Sequence, residues 1–317
     1  MVLTGKTVMR AIDENTITDA AIEQMSSTRN PRLKEIMAAA VRHLHAFARE
    51  VELTPEEWLE GIKFLTATGQ MCTAYRQEFV LLSDTMGLSS LVNSLHDKRG
   101  TEANTKSSLL GPFYRQDSPT FQLGESIAVK AKGPAIGLYG RVTNTAGEGV
   151  PNASIEIWQP DEDGDYDLQK HDPKEMDLRG RFFTDAEGRY YLRTIRPLGY
   201  MIPMDGPVGD LIRAQGRHGF RPAHIHFLIG APGYREVVTA LYLAGDDHID
   251  SDTVFGVTDS LVVDIRDKNQ DSPFNGIPSI RYDFTLAAAK DGHSGRVGAD
   301  PSQIVASGQN GKAAIKN

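Results

Sequence analysis

The chain has 317 residues, 34 basic against 42 acidic, and a formal net charge of −8, enough length for one large domain or two modest ones. The acidic balance and the lack of a basic run argue against a nucleic-acid partner, and no stretch approaches the roughly 18–20 apolar residues of a membrane span. The single cysteine, Cys72, excludes an intramolecular disulfide framework and a thiolate-rich metal site. The opening MVLTGKTVMRAIDEN carries no apolar leader core, so a cytoplasmic location is the default.

Residues 16 to about 100 read as helices. Arg32 to Val51 places Leu33, Ile36, Met37, Ala40, Val41, Leu44 and Phe47 on one face. Thr54-Pro55-Glu56-Glu57 is a capping box with proline at the first helical position, ahead of Trp58, Leu59, Ile62, Phe64 and Leu65. Gln77 to Leu95 repeats the pattern. From about residue 125 the signal changes to short β-rich runs: IAVKAKG, GLYGRVTN, ASIEIWQP, RFFTD, GRYYLRTI, HIHFLIG, EVVTALYLA and SLVVDIR. About eight strands suffice for two packed antiparallel sheets. Asn144-Thr145-Ala146-Gly147 and Asp185-Ala186-Glu187-Gly188 read as hairpin turns. The expected organisation is mainly β with an α-helical N-terminal part: a helical dimerisation domain over 1–105, an antiparallel β-sandwich catalytic domain over 106–290, and a polar tail over 291–317.

The chemistry centres on Arg221-Pro222-Ala223-His224-Ile225-His226-Phe227. Side chains alternate along a strand, so His224 and His226 share one face while Ile225 and Phe227 take the other. His43 and His45 have the same spacing inside a helical run, where two residues rotate a side chain by roughly 200°, and they splay. Two neutral imidazoles suit zinc, copper, nickel or iron, and oxygen donors must decide among them. Asp161, Asp163, Asp165 and Tyr166 follow one strand, and Tyr200 follows another. A tyrosine, with an ordinary pKa near ~10, ligates at neutral pH only to a strong Lewis acid such as ferric iron. From spacing alone the site is two histidines plus unassigned oxygens.

The succession Leu110-Gly111-Pro112-Phe113-Tyr114, Gly140-Arg141-Val142, Ile157-Trp158-Gln159-Pro160, Gly164-Asp165-Tyr166, Gly188-Arg189-Tyr190, Tyr200 and RPAHIHF resembles the intradiol ring-cleaving dioxygenases over residues 20–285. The resemblance implies one non-haem Fe(III) per subunit, held by Tyr166, Tyr200, His224 and His226. It implies a small aromatic diol or triol and O2 as substrates, with both oxygen atoms ending in a muconate-type diacid. Tyr200 would leave the metal and take a substrate proton, and Arg221 would stabilise the anionic ring.

Leu81-Leu82-Ser83-Asp84 and Gly111-Pro112-Phe113-Tyr114 look more like the branch that cleaves hydroxyquinol than the branch that cleaves catechol. A carboxylate facing an apolar pocket needs a donor, and the third hydroxyl of benzene-1,2,4-triol supplies one to Asp84. Leu81, Leu109, Leu110, Gly111, Pro112, Phe113, Ile202, Pro203 and Val254 are the expected walls. The resemblance also implies a homodimer through the helical domain and allows a phospholipid at its interface. A catechol-cleaving enzyme and a non-catalytic transthyretin-like binding sandwich are the alternatives.

Overall fold

The structure, a computed structural model, describes residues 12–73, 76–98, 104–170, 175–267 and 271–289. The expected polar tail over 291–317 lies outside the described residues. Two compact units divide the chain, one running through Thr66 and the other starting at Ala67.

In the first unit, α1 (Ile17–Gln24) contacts α2 (Pro31–Glu50), and α3 (Pro55–Met71) begins. Asn30 caps α2 by accepting from the Leu33 N–H at 3.0 Å, with Pro31 in the first turn. The capping box forms as its sequence dictates: Glu57 N–H donates to Thr54 Oγ1 at 3.2 Å, and Thr54 N–H donates to Glu57 Oε2 at 3.0 Å. His43 and His45 splay on α2, and the His45 ring engages Thr18 at 3.0 Å within the same unit. No described helix is long and apolar enough to cross a membrane.

In the second unit, the expected helix from Gln77 to Leu95 is two helices, α4 (Glu78–Thr85) and α5 (Leu88–Asp97). The break falls at Gly87, whose φ of 74° is accessible at little cost only to glycine. The β-rich part comprises β1 (Ala135–Asn144), β2 (Ser154–Trp158), β3 (Arg179–Phe183), β4 (Arg189–Ile195), β5 (Tyr200–Met201), α6 (Pro207–Ala214) and β6 (Phe220–Arg221). It continues through β7 (His224–Gly230), β8 (Val237–Leu243), β9 (Val262–Val263), β10 (Ser279–Arg281) and β11 (Phe284–Leu286).

One sheet has the order β3-β2-β7-β8-β9; in the other, β1 pairs with β4 on one side and with β10 and β11 on the other. The sheets are mixed rather than wholly antiparallel, because β10 and β11 run parallel to β1, and β9 parallel to β8. Long connections bring these last strands back, and a long connection, unlike a hairpin, permits parallel pairing. IAVKAKG forms no strand, although Ile127 N–H donates to the Arg193 carbonyl at 3.0 Å. The expected hairpin at Asp185–Gly188 instead joins β3 of one sheet to β4 of the other. The reversal at Asn144–Gly147 closes a short hairpin: Asn144 N–H donates to the Glu148 carbonyl and Val150 N–H to the Val142 carbonyl, each at 2.8 Å, around an antiparallel bridge between Thr143 and Gly149.

Strand β7 is buried on both faces, and its alternation organises everything else. Ile225, Phe227 and Ile229 enter the sandwich core with Ile155, Ile157, Phe182, Leu192, Leu241 and Phe284. The opposite face carries His224, His226 and Leu228 toward a smaller aromatic cluster of Phe113, Tyr114, Trp158, Tyr166 and Tyr200. The hydrophobic core thus fixes the strand that presents the two imidazoles.

Candidate active site

Cross-strand register places the first neighbours of the histidines. Trp158 of β2 stands opposite His226, and Tyr242 of β8 stands opposite His224. The paired indole and imidazole stack with ring centres 5.0 Å apart and planes within 3°. Ala240, opposite His226 on the other side, leaves room for the ring.

The His224 ring is oriented by its contact with the Pro222 carbonyl at 2.7 Å: Nδ1–H donates there, which leaves the Nε2 lone pair facing the site. Arg221 Nη1 reaches that atom at 3.2 Å, and His226 Nε2 lies 3.1 Å from it. Burial, reinforced by the Arg221 charge, holds His224 well below the ordinary imidazole value. Burial, then the charges of His224 and Arg221, does the same to His226. Both rings are neutral nitrogen donors at pH 7.

Two loops bring the tyrosines. After β2 the chain turns through Asp161, whose Oδ1 accepts from Asp163 N–H at 2.9 Å and Asp165 N–H at 3.0 Å. Gly164, at φ 90°, passes so close to Tyr200 that a Cβ there would sit 3.2 Å from the Tyr200 Cβ. Tyr166 thereby meets Tyr200 edge-on, ring centres 5.5 Å apart. Tyr200 arrives on β5, paired directly with Arg221 of β6, and its ring centre is 5.6 Å from that of His224.

The Tyr166 hydroxyl is fully buried and has no hydrogen bond of good geometry. Burial, with the Tyr200 phenol beside it, pushes its pKa well above 10. A buried polar atom without a partner is costly, and a bound cation at this point would turn it into an anionic ligand. Among the described residues no group of three or more His, Cys, Asp or Glu side chains is placed to hold a metal. The available donors are therefore two neutral nitrogens and two phenol oxygens, a set that fits a hard, highly charged ion such as ferric iron. Asp161, Asp163 and Asp165, the rival oxygen donors, do not join it: Asp161 ties its own loop and pairs with Lys170, and Asp163 and Asp165 are exposed.

Phe113 stacks on Tyr166 at 4.2 Å and meets Tyr200 edge-on at 6.4 Å. Leu110 packs on the same cluster. Gly111, at φ 70°, passes over His226, and a Cβ there would lie 3.6 Å from the ring. Pro112 is half-buried between Gly111 and Phe113. This loop is held from two sides. Ser108 N–H donates to the Val238 carbonyl at 2.9 Å, and Arg179 Nη1 donates to the Phe113 carbonyl at 3.1 Å. The same Arg179 pairs with Asp167, next in the chain to Tyr166, so one buried cation fixes both the loop and the tyrosine.

Asp84 is buried on α4, hydrogen-bonded to Ser89 and within reach of the charges of Arg221 and Asp252. Desolvation raises its pKa to about 6. Leu81 is buried one turn earlier on the same face, and Val254, also buried, donates its N–H to Asp252 at 3.3 Å. Leu109 is buried, and its carbonyl pulls the His226 pKa weakly upward. Buried Ile202 and half-buried Pro203 directly follow the β5 pair. Trp158, Arg179, Tyr242 and Asp252 were not singled out for roles by the sequence. The IWQP motif held one of them, while the other three are brought in by register or by buried ion pairing.

Residues 110–288 match the family described as Dioxygenase, and residues 30–104 the family described as Catechol dioxygenase N terminus. The chain is 47% identical over 279 residues to a 6-chlorohydroxyquinol 1,2-dioxygenase of Cupriavidus pinatubonensis, covering 88% of this chain and 99% of that one. It is 42% identical over 277 residues to a hydroxyquinol 1,2-dioxygenase of a Rhizobium species, covering 85% and 94%. The solved structure of hydroxyquinol 1,2-dioxygenase from Pseudomonas putida DLL-E4 matches with a TM-score of 0.80 at 42% identity, covering 87% and 99%. These likenesses run through the helical and the β-rich parts alike, and the chain belongs to the intradiol ring-cleaving dioxygenase family.

Proposed function

We propose that the protein cleaves hydroxyquinol with O2 between its two adjacent hydroxyl-bearing carbons, giving 3-hydroxy-cis,cis-muconate, the enol form of maleylacetate. The observation that carries this reading is the convergence of His224, His226, Tyr166 and Tyr200 around one point, with the Tyr166 oxygen buried and unpaired. These four residues would hold one non-haem Fe(III) per subunit. When bound, the ion supplies a Lewis-acid charge that favours the ionised diol and an electron-rich ring able to react with O2.

Tyr200 is the member of the set placed to move a proton. Its hydroxyl faces Arg221 Nη1 at 3.5 Å, so its phenolate form sits beside a fixed positive charge and can take a proton from the incoming diol. Arg221 is buried; burial alone would depress its pKa, but Asp252, Tyr200 and Tyr242 more than reverse this, and it stays charged. It presents that charge to the ring as negative charge develops there. Phe113, Gly111 and Leu110 exclude water beside Tyr166 and His226, with Leu81, Leu109, Pro112, Ile202, Pro203 and Val254 as the further walls.

Asp84 is the residue that selects the third hydroxyl. Asp84 is 6% exposed, with Ser89 as its side-chain hydrogen-bond partner, and an extra hydrogen-bond donor on the substrate would offset its remaining desolvation. The names of the relatives at 42–47% identity favour the same substrate class.

The helical part, residues 1–105, would serve as the dimerisation surface. Leu44 and Phe47 on α2, and Trp58, Leu59 and Ile62 on α3, are exposed apolar side chains that a second copy or a phospholipid chain would cover. Product identification tests the reaction. Hydroxyquinol should give maleylacetate with one O2 consumed, and formation of cis,cis-muconate from catechol at equal or greater kcat/KM would make catechol the substrate instead.

A further inference from the structure

We propose that Asp252 and Tyr242 are positioning residues that hold Arg221 so that only its Nη1 amino group faces the reacting ring. The inference rests on the reading of Arg221 as the cation opposite the substrate.

The guanidinium of Arg221 has five N–H bonds in a rigid plane. Its Nε donates to Asp252 Oδ1 at 3.1 Å and its Nη2 to Asp252 Oδ2 at 3.3 Å, a side-on bidentate pair. Nη2 also donates to the Tyr242 hydroxyl at 3.2 Å. That leaves Nη1, which reaches His224 Nε2 and the Tyr200 hydroxyl. Three of five donors are thus spent on the clamp and two on the site. The clamp is itself anchored: Gly256 N–H donates to Asp252 Oδ2 at 2.9 Å, Ser108 Oγ meets the Tyr242 hydroxyl at 2.9 Å, and Ser108 Oγ donates to the Gly256 carbonyl at 3.1 Å. A Cβ on Gly256 would lie 2.4 Å from the Tyr242 hydroxyl and 3.0 Å from Arg221 Nη2, so the backbone at 256 must be bare for the clamp to close. Asp252 is buried with Arg221, so the pair has no solvent to reorganise it.

The test uses full-length, iron-loaded protein and four variants: Asp252→Asn, Tyr242→Phe, Arg221→Met and the double variant Arg221→Met/Asp252→Asn. Asp252→Asn should lower kcat on hydroxyquinol by about 10- to 100-fold, the cost of a misplaced group, and Tyr242→Phe by about 3- to 10-fold. Iron content, visible absorption and anaerobic hydroxyquinol affinity should change by less than about threefold, because the ligands are untouched. In the Arg221→Met background, Asp252→Asn should change kcat by less than about twofold. A loss there as large as in the wild-type background overturns the proposal, as does a kcat loss that merely follows lost iron. If Arg221→Met alone leaves kcat unchanged, the reading of Arg221 itself fails, an outcome distinct from failure of the clamp.

Discussion

Trp158 lies flat against His226, its direct cross-strand partner, with ring centres 5.0 Å apart. The indole is 1% exposed, and its N–H has no partner, so its contribution is shape and contact alone. Trp158→Ala should cost about 3–5 kcal/mol and free the imidazole to tilt, lowering iron affinity by about 10-fold or more. Trp158→Phe should cost less than about 2 kcal/mol, since it keeps a stacked ring and removes an unsatisfied donor. Thermal unfolding with iron analysis checks both; unchanged occupancy in the alanine variant would remove Trp158 from the support of the site.

Asp84 carries a pH signature. Its pKa of about 6 in the folded protein lies above the 3.8 of the free side chain. Between those values the unfolded chain has released a proton that the folded protein retains, so stability falls as pH rises from about 4 to about 6 and is level above. At ~1.4 kcal/mol per unit the full cost is about 3 kcal/mol. Asp84→Asn should flatten this segment of the stability profile. It should also reduce the ratio of kcat/KM for hydroxyquinol over catechol by about 10- to 100-fold, the range for losing a charged hydrogen bond. Denaturant unfolding across that pH range, with steady-state kinetics on both substrates, decides it; an unchanged ratio would remove Asp84 from recognition.

Arg179 joins two segments that nothing in the sequence connects. It is 1% exposed, pairs with Asp167 and donates to the Phe113 carbonyl. Arg179→Met would leave Asp167 buried with only Arg115, 3.8 Å away, as its counter-charge, and we predict a loss of about 2–3 kcal/mol. Adding Asp167→Asn should restore part of it. A single variant as stable as the parent in urea titration would contradict the pairing.

Gly111 sits in the left-handed region over His226. Gly111→Ala should cost about 1–2 kcal/mol in backbone strain and place a methyl group against the imidazole. We expect a raised KM for hydroxyquinol with a smaller change in kcat, since the added methyl occupies pocket space and meets His226 Nε2 only at an ordinary van der Waals distance of 3.6 Å. A change confined to kcat would place Gly111 outside the pocket wall.

The sequence made the site strand legible because a buried strand alternates strictly: His224 and His226 on one face, Ile225 and Phe227 on the other, follow from period two alone. The capping box at Thr54–Glu57 was equally local, and formed as read. Tyr166 and Tyr200 stood out only as candidate oxygens after strands, and their assignment as ligands came from resemblance, since Tyr166 lies outside any strand and Tyr200 on a strand of two residues, too short for a period to constrain it. The mixed sheets were not legible, because parallel pairing of β10 and β11 with β1 depends on contacts more than a hundred residues apart. Gly87 marked a helix break that amphipathic spacing ran straight through. Asp252 and Tyr242 were hidden for the same reason: their tie to Arg221 is made by register and burial, not by neighbouring residues. A non-catalytic sandwich, one of the alternatives raised by the turn-rich strands, gives way to the family match over residues 110–288.

The most direct measurement is an anaerobic titration of the iron-loaded protein with hydroxyquinol, followed by visible absorption and then by admission of O2. On this reading the protein is red, and its tyrosinate-to-iron band shifts to saturation at one equivalent of substrate per iron and returns after O2 as maleylacetate forms. A colourless iron-loaded protein, or a band that hydroxyquinol leaves unmoved, would contradict it.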